Sequence, residues 1–115
     1  MIQASFRLVA PEEKREEYLT VLLCLKGPTD ALAECRACRV FQDVEDKNVL
    51  TYVVTWENQE DLEEHLCSDR FRRLLPYIEM SQEPPEVDFS TIDQVRGIEF
   101  MVQVLDSKTP TSRGA

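Results

Sequence analysis

The sequence predicts an α+β fold, a ferredoxin-like sandwich in which an antiparallel sheet carries helices on one face only. Apolar residues alternate with polar ones in several short segments and recur at helical spacing in others, in the order strand, helix, strand, strand, helices, strand. A chain of 115 residues can build one core and not two. We therefore expect one domain over residues 1–105 and a disordered tail over residues 106–115.

The first strand and the first helix are predicted from the first quarter of the chain. Side chains alternate between apolar and polar from Ile2 to Leu8, as in a strand with one buried face. Pro11 suits the first turn of a helix, and two glutamates follow it where the positive end of the helix dipole favours acids. An apolar stripe continues to Leu25, and Gly27-Pro28 is expected to end this helix.

Two further strands are predicted on either side of a polar turn. The second strand covers residues 35–44, and the third runs from Val49 to Trp56 through β-branched and aromatic residues. The third strand is apolar on both faces, with Leu50, Tyr52, Val54 and Trp56 on one side and Val49 and Val53 on the other. Since helices cover only one face of such a sheet, we expect a second copy of the chain to cover the other face.

Short helices and two extended segments complete the predicted domain. Asn58 and Ser68 are suitable caps for two helices, and Pro76 is expected to disrupt the second of them. Extended segments are predicted over residues 87–90 and, as a terminal strand, from Ile98 to Leu105. In a homodimer this terminal strand is expected to cross to the partner.

The composition disfavours several classes of function. Thirteen basic residues against 22 acidic ones give a net charge of -9, and nucleic acid is not an expected partner because its phosphates would be repelled. The longest apolar run has five residues, far fewer than the ~20 that cross a bilayer, so no membrane partner is expected either. Three scattered glycines do not form a nucleotide-binding loop. Without a secretory leader, the expected location is cytoplasmic.

The four cysteines raise the question of a metal or redox site. Cys35 and Cys38 form a C-x-x-C motif, but Cys24 and Cys67 are isolated, so a zinc site would lack its second half. Residues three apart in a strand face opposite sides of the sheet, and Cys35 and Cys38 could not then bind one ion. We expect reduced cysteines, no metal and no cofactor, with zinc binding and redox chemistry as minor alternatives.

One run of residues resembles a known family. From Val54 to Phe71 the sequence reads VTWENQEDLEEHLCSDRF, in which a strand ends in Trp, a His follows nine residues later, and a Ser cap and an aromatic residue come after it. This run is similar to the signature of the antibiotic biosynthesis monooxygenase family. Three further stretches are similar as well, at residues 27–29, 41–46 and 81–89, and the resemblance covers residues 1 to about 105.

The resemblance implies a dimeric α/β barrel, which is a small homodimer with a pocket between sheet and helices in each protomer. It also implies a cofactor-independent monooxygenase that acts with O2 on a small phenolic or quinol-type aromatic substrate. This chemistry needs no metal or flavin because a deprotonated, electron-rich phenol can itself donate an electron to O2. The haem-degrading branch of the family has a His where this chain has Leu75, so haem is not expected.

Three residues are candidates for the catalytic site: His65, Trp56 and Tyr52. His65 is the only histidine, lies on the inward face of its predicted helix, and has an ordinary pKa of about 6.5 that suits a base at neutral pH. Trp56 would shape the cavity. Tyr52 faces the same side of the strand, and its hydroxyl needs a partner if it is buried.

The main alternative is a non-catalytic dimeric module that holds a small aromatic molecule or a reactive electrophile in the same pocket. His65 would then be a core histidine with a polar partner, and Trp56 would be a core anchor. Consumption of O2 in the presence of quinols distinguishes the two functions.

Overall fold

The computed structural model describes residues 1–108. Its strands are β1 (Ile2–Val9), β2 (Cys35–Gln42), β3 (Val49–Trp56) and β4 (Glu86–Thr91). Its helices are α1 (Arg15–Asp30), α2 (Gln59–Cys67), α3 (Asp69–Arg72), α4 (Leu75–Glu79) and α5 (Ile98–Lys108), and a 3-10 turn at Glu12–Lys14 precedes α1. The order of elements as far as β4 confirms the predicted one.

The four strands form one antiparallel sheet in the order β2-β3-β1-β4. At the centre, Phe6 of β1 pairs with Tyr52 of β3 on one side and with Val87 of β4 on the other. β3 pairs in turn with β2, and the helices pack on one face of the sheet. This topology confirms the ferredoxin-like sandwich predicted from the sequence.

The core lies between the sheet and the helices. Alternate residues of β3 point into it, so that Leu50, Tyr52, Val54 and Trp56 are each at most 2% exposed. Side chains from α1, α2 and α3 complete the core, among them Tyr18, Leu22, Leu25, Leu62, His65 and Phe71. The prediction that Tyr52 and Trp56 share the inward face of one strand is confirmed.

The first helix continues past the residues that were expected to end it. Gly27 and Pro28 both lie inside α1, which ends at Asp30. Pro28 removes only one backbone hydrogen bond from the last turns, and Gly27 adopts a negative φ that any residue can have. The extra turn buries Thr29 completely. The prediction of a helix end at Gly27-Pro28 is therefore wrong, because tertiary packing outweighs the low helix propensity of these two residues.

The C-terminal segment is a helix, and the predicted terminal strand over Ile98 to Leu105 is wrong. Apolar residues at positions 98, 101, 102 and 105 have the spacing of one helix face, a pattern hidden by the high apolar content of the segment. No residue of α5 is buried, and the Cα radius of gyration is 18.2 Å, against the ~13 Å typical of a compact domain of this size. The helix extends to Lys108, into the segment expected as a tail; residues 109–115 lie outside the described part.

Two smaller differences concern the ends of elements. β2 ends at Gln42, two residues before the predicted end of the strand. Pro76 does not disrupt a helix but occupies the first turn of α4, where the missing proline N–H costs nothing. α3 has already ended at Arg72.

The face of the sheet away from the helices is mixed in character. On β3 it carries Val49, which is 5% exposed, and Thr51, Val53 and Thr55, which are partly exposed. The neighbouring β1 contributes polar residues to the same face. Among residues 1–108, α5 carries more large, exposed apolar side chains than any other element, and its Ile98 is 73% exposed.

Candidate active site

A cavity of about 320 Å³ opens beside the end of β3, between α2 and the segment that joins α1 to β2. Trp56 and His65 form its buried wall, and Leu32 and Ser68 also line it. Two of the three predicted site residues therefore lie in the cavity. The third, Tyr52, is buried behind His65 and contacts it from the core side.

His65 is placed by the way α2 begins. The side chain of Asn58 accepts a hydrogen bond from the backbone N–H of Asp61 at 3.0 Å, which fixes the first turn of the helix. Two turns later, His65 points inward on the same face as Leu62 and is 1% exposed. Its ring lies 4.9 Å from the Trp56 ring and 5.2 Å from the Phe71 ring, measured between centroids. An apolar, aromatic environment thus surrounds the only imidazole.

The Tyr52 hydroxyl links His65 to the rest of the core. Its oxygen lies 3.0 Å from Nε2 of His65 and accepts a hydrogen bond from the Cys38 thiol at 3.5 Å. Thr29, from the last turn of α1, is a further polar neighbour of this hydroxyl. Burial, followed by the contact with Cys38, raises the pKa of Tyr52 far above its ordinary value, so Tyr52 stays protonated.

Burial also determines the charge state of His65. Loss of water around the ring, with a smaller contribution from the positive charge of Arg70, lowers the pKa of His65 to about 4. His65 is therefore neutral at neutral pH, and one of its two ring nitrogens carries a proton while the other has a lone pair.

Two buried nitrogen atoms in this region have no hydrogen-bond partner among residues 1–108. They are Nε1 of Trp56 and Nδ1 of His65, and both side chains line the cavity. Buried polar atoms without a partner are rare because each costs free energy that a hydrogen bond would recover. Both nitrogens belong to side chains that line the cavity, which makes the cavity the candidate ligand site.

Charged residues lie around the more exposed part of the cavity. Glu34, Asp61 and Glu64 are carboxylates, and Arg70 is the cation among the lining residues. Nε of Arg70 donates to the Thr29 hydroxyl at 3.3 Å, which connects the cavity wall to the hydrogen bonds around Tyr52. Three carboxylates against one guanidinium favour neutral or cationic ligands over anionic ones.

The two cysteines of the C-x-x-C motif lie on the same face of the sheet, which corrects the prediction of opposite faces. A register shift between Cys35 and Ala37 places Cys35 opposite Trp56 and Cys38 opposite Val54, both inward positions of β3. Burial and the neighbouring Cys38 raise the pKa of Cys35 to about 11, so the thiolate that redox chemistry or metal binding needs is disfavoured. All four cysteines are free thiols.

Sequence reasoning missed three residues of this site. Thr29 is expected beyond the end of the helix, Cys38 is expected on the face of the sheet opposite to that of Cys35, and Arg70 lies in the family run without a role of its own. A buried tyrosine hydroxyl needs partners from neighbouring elements, so the position of Tyr52 was the available signal that such residues exist. Which residues they are depends on the length of α1 and on the bulge in β2.

Two kinds of feature are absent from residues 1–108. No helix in this part of the chain is long and apolar enough to cross a membrane. The same residues contain no group of three or more His, Cys, Asp or Glu side chains arranged to hold a metal ion.

Solved structures share this architecture. An antibiotic biosynthesis monooxygenase superimposes with a TM-score of 0.72 at 21% identity, over 84% of this chain and 100% of the other. A conserved protein from Methanosarcina mazei Go1 gives 0.70 at 23% identity, over 77% and 89% of the two chains. Rv0793 from Mycobacterium tuberculosis gives 0.73 at 18% identity, over 83% and 98%. Likeness at these identities shows the fold.

Sequence comparison identifies the family. No curated protein matches the chain. The sequence model for the antibiotic biosynthesis monooxygenase family matches residues 1–76, which is more than half of the chain and includes the strands and helices that carry Tyr52, Trp56 and His65. The protein therefore belongs to the antibiotic biosynthesis monooxygenase family.

Proposed function

We propose that the protein is a cofactor-independent monooxygenase that acts with O2 on a small phenolic or quinol-type aromatic compound. The observation that carries this proposal is the cavity in which His65 and Trp56, both nearly fully buried, have ring nitrogens without partners among residues 1–108. A volume of about 320 Å³ suits one small aromatic molecule. Family membership favours the same chemistry.

The reaction needs no electron donor other than the substrate. With a hydroquinone, one oxygen atom of O2 adds to a ring carbon, and the other leaves as water with two hydrogens taken from the substrate, which departs as a hydroxyquinone. Deprotonation of the phenol starts the reaction because the anion transfers an electron to O2 more readily. The protein then has to orient the substrate, stabilise the developing oxyanion and exclude water.

The predicted site residues take different roles in this proposal. His65 is the side chain best placed to receive the phenol proton or to hydrogen-bond the anion. Trp56 shapes the cavity and offers an indole N–H. Tyr52 is too deeply buried to reach the substrate and acts through its contact with His65.

Oxygen uptake tests the proposed function directly. Purified protein without added metal, flavin or haem is mixed with a panel of quinols and hydroxyanthraquinones, and the uptake above the rate of spontaneous oxidation is recorded. We expect at least one compound to show catalysed uptake that saturates with its concentration. Absence of catalysed uptake across the panel, with binding of the same compounds retained, would favour the second candidate function.

That second candidate is a non-catalytic module that binds a small aromatic molecule. The low pKa of His65 favours it, because a ring with a pKa of about 4 is a weak base at neutral pH. Binding requires only the cavity and its unpartnered nitrogens.

We also propose that the protein is a homodimer of the cytoplasm in which α5 packs against the partner. The exposed stripe of α5 includes Ile98, Met101 and Val102, which are 73%, 51% and 47% exposed. Contact with a second copy would bury these side chains. Four free thiols are typical of a reducing compartment. We expect sedimentation equilibrium to give twice the chain mass at micromolar concentration, and a stable monomer would contradict the dimer.

A further inference from the structure

We propose that Tyr52 holds His65 in the tautomer with its proton on Nδ1, so that His65 and Trp56 present two N–H donors to one oxygen atom of the ligand. The ligand oxygen would be an acceptor, as in an aryl ketone, a quinone or a phenolate. The inference rests on the proposed function only in taking the cavity as the site of an aromatic ligand. Tyr52 is a positioning residue in this arrangement.

The direction of the hydrogen bonds around Tyr52 starts at Arg70. A guanidinium group can only donate, so Nε of Arg70 donates to Thr29 Oγ1, and the Thr29 hydroxyl is left to donate onward. The Cys38 thiol donates to the Tyr52 oxygen at 3.5 Å, and Thr29 is a further polar neighbour of this hydroxyl. A hydroxyl that accepts from Cys38 has to find another acceptor for its own proton.

The remaining partner of the Tyr52 hydroxyl is Nε2 of His65, at 3.0 Å. Because Tyr52 donates in this contact, Nε2 is the nitrogen with the lone pair. A neutral imidazole carries its proton on the other nitrogen, so Nδ1 of His65 is an N–H donor. This nitrogen has no hydrogen-bond partner within residues 1–108. With the Nε2 lone pair bonded to Tyr52, His65 takes the second of the two roles proposed for it, a hydrogen bond to the substrate oxyanion, and does not itself receive the phenol proton.

Trp56 supplies the second donor. An indole nitrogen can only donate, and Nε1 of Trp56 is likewise buried without a partner in the described chain. The two rings are 4.9 Å apart between centroids and line the same cavity. Two N–H groups on neighbouring rings that line one cavity are complementary to an oxygen acceptor and unsuited to a ligand that offers only donors.

Nuclear magnetic resonance can observe each donor separately, since the chain has one histidine and one tryptophan. In 15N-labelled protein without a histidine tag, two-bond couplings between ring protons and ring nitrogens identify the protonated nitrogen of His65. We expect the Nδ1–H tautomer in the free protein at neutral pH. The Nε2–H tautomer would overturn the inference.

A binding experiment compares 1-tetralone, a neutral aryl ketone, with tetralin, which has the same rings without the oxygen. We expect 1-tetralone to shift both the His65 Nδ1–H and the Trp56 Nε1–H signals and to bind about tenfold more tightly than tetralin, the scale of one or two hydrogen bonds. Equal affinities of the two compounds, or a shift at neither N–H, would overturn the shared acceptor site.

Tyr52→Phe removes the donor that orients His65, and Tyr18→Phe is the matched control. The Tyr18 hydroxyl is bonded to the carbonyl oxygen of Tyr77 at 2.7 Å, in another part of the core. We expect Tyr52→Phe to move His65 towards the Nε2–H tautomer and to weaken 1-tetralone about tenfold, whereas Tyr18→Phe should change neither. An unchanged tautomer in folded Tyr52→Phe, or the same change in Tyr18→Phe, would contradict the role of Tyr52.

The measurements also separate this inference from the proposed function. The Nδ1–H tautomer and preferential binding of 1-tetralone without any oxygen uptake would support the donor pair and reject the monooxygenase. Oxygen uptake by a protein whose His65 carries its proton on Nε2 would support the monooxygenase and reject the donor pair.

Discussion

His65 combines deep burial with a contact to one hydroxyl, and this combination makes the stability of the fold depend on pH. The folded protein keeps His65 neutral down to a pKa of about 4, whereas the unfolded chain binds a proton below its ordinary value of 6.5. Between these values the unfolded state binds more protons, so the free energy of unfolding should fall as the pH decreases from 6.5 to 4.

Urea denaturation at a series of pH values measures this dependence, and His65→Gln serves as the control that cannot titrate. Arg70 and the carboxylates of Glu34, Asp61 and Glu64 line the same cavity and remain in the variant. We expect the decline between pH 6.5 and 4 to be shallower in His65→Gln. Identical slopes in the two proteins would show that His65 is not the titrating group.

Replacement of His65 by Ala tests the catalytic role of the same residue. If His65 receives the phenol proton or donates a hydrogen bond to the oxyanion, its loss should lower kcat by on the order of 10² or more. The dimer should remain folded by circular dichroism and sedimentation. Full turnover together with a marked loss of stability would instead identify His65 as a core residue without a catalytic role.

At the residue scale, the sequence predicted which side chains meet but not how they bond. Strand alternation predicted that Tyr52 and Trp56 share one face, and helical spacing predicted that His65 points inward; the structure agrees with both. The partners of the Tyr52 hydroxyl were not predictable, because Thr29 and Cys38 reach it only through an extended helix and a strand bulge.

At the element scale, α1 shows how packing can override local signals. Gly27 lies inside the helix with a negative φ, and a Cβ atom added there would meet no atom within 4 Å apart from its chain neighbours and its own helix backbone. The ring of Pro28 disfavours a helical residue with a Cβ before it, so the substitution is made in a Pro28→Ala background. Compared with Pro28→Ala alone, Gly27→Ala should then raise the free energy of unfolding by about 0.5–1 kcal/mol, since alanine loses less backbone entropy on folding. Thermal and urea denaturation measure the gain.

Gly97→Ala is the contrasting variant. A Cβ atom at Gly97 would lie 2.7 Å from Oε2 of Glu99, so this carboxylate has to move, and we expect no stabilisation there. A loss of stability on Gly27→Ala in the Pro28→Ala background would mean that the helix does not run through residue 27.

The C-terminal helix α5 has an apolar pattern that fits both a helix and a strand. Positions 98, 101, 102 and 105 contain the helical period, yet the apolar run from Phe100 to Val102 also resembles a strand. Short apolar segments are ambiguous in this respect, and nothing in residues 1–108 buries α5 to reveal its partner. The prediction of a strand followed the composition rather than the spacing.

At the scale of the whole molecule, the order of elements was sufficient to predict the sheet, its antiparallel pairing and the single layer of helices. The boundary of the domain at residue 105 stays a prediction. In the proposed homodimer, the apolar stripe of α5 is the surface that the partner would cover. Substitution of Ile98, Met101 and Val102 by Gln should therefore shift the protein from dimer to monomer at micromolar concentration.

Gln103→Ala on the same helix is the control for this shift. It removes an exposed polar side chain and should leave the dimer intact. Sedimentation equilibrium measures the molecular mass of both variants in solution. A dimer that survives the triple substitution would place the interface elsewhere, such as on the face of the sheet that carries Val53.

We propose that the cavity lined by His65 and Trp56 supports oxygenation without a cofactor. Turnover under 18O2 of whichever quinol shows catalysed uptake, with mass spectrometry of the product, tests this most directly. We expect one labelled oxygen atom in each product molecule from metal-free, flavin-free protein, and a rate that falls by on the order of 10² in His65→Ala. A product without label, or equal labelling rates in the wild type and His65→Ala, would contradict it.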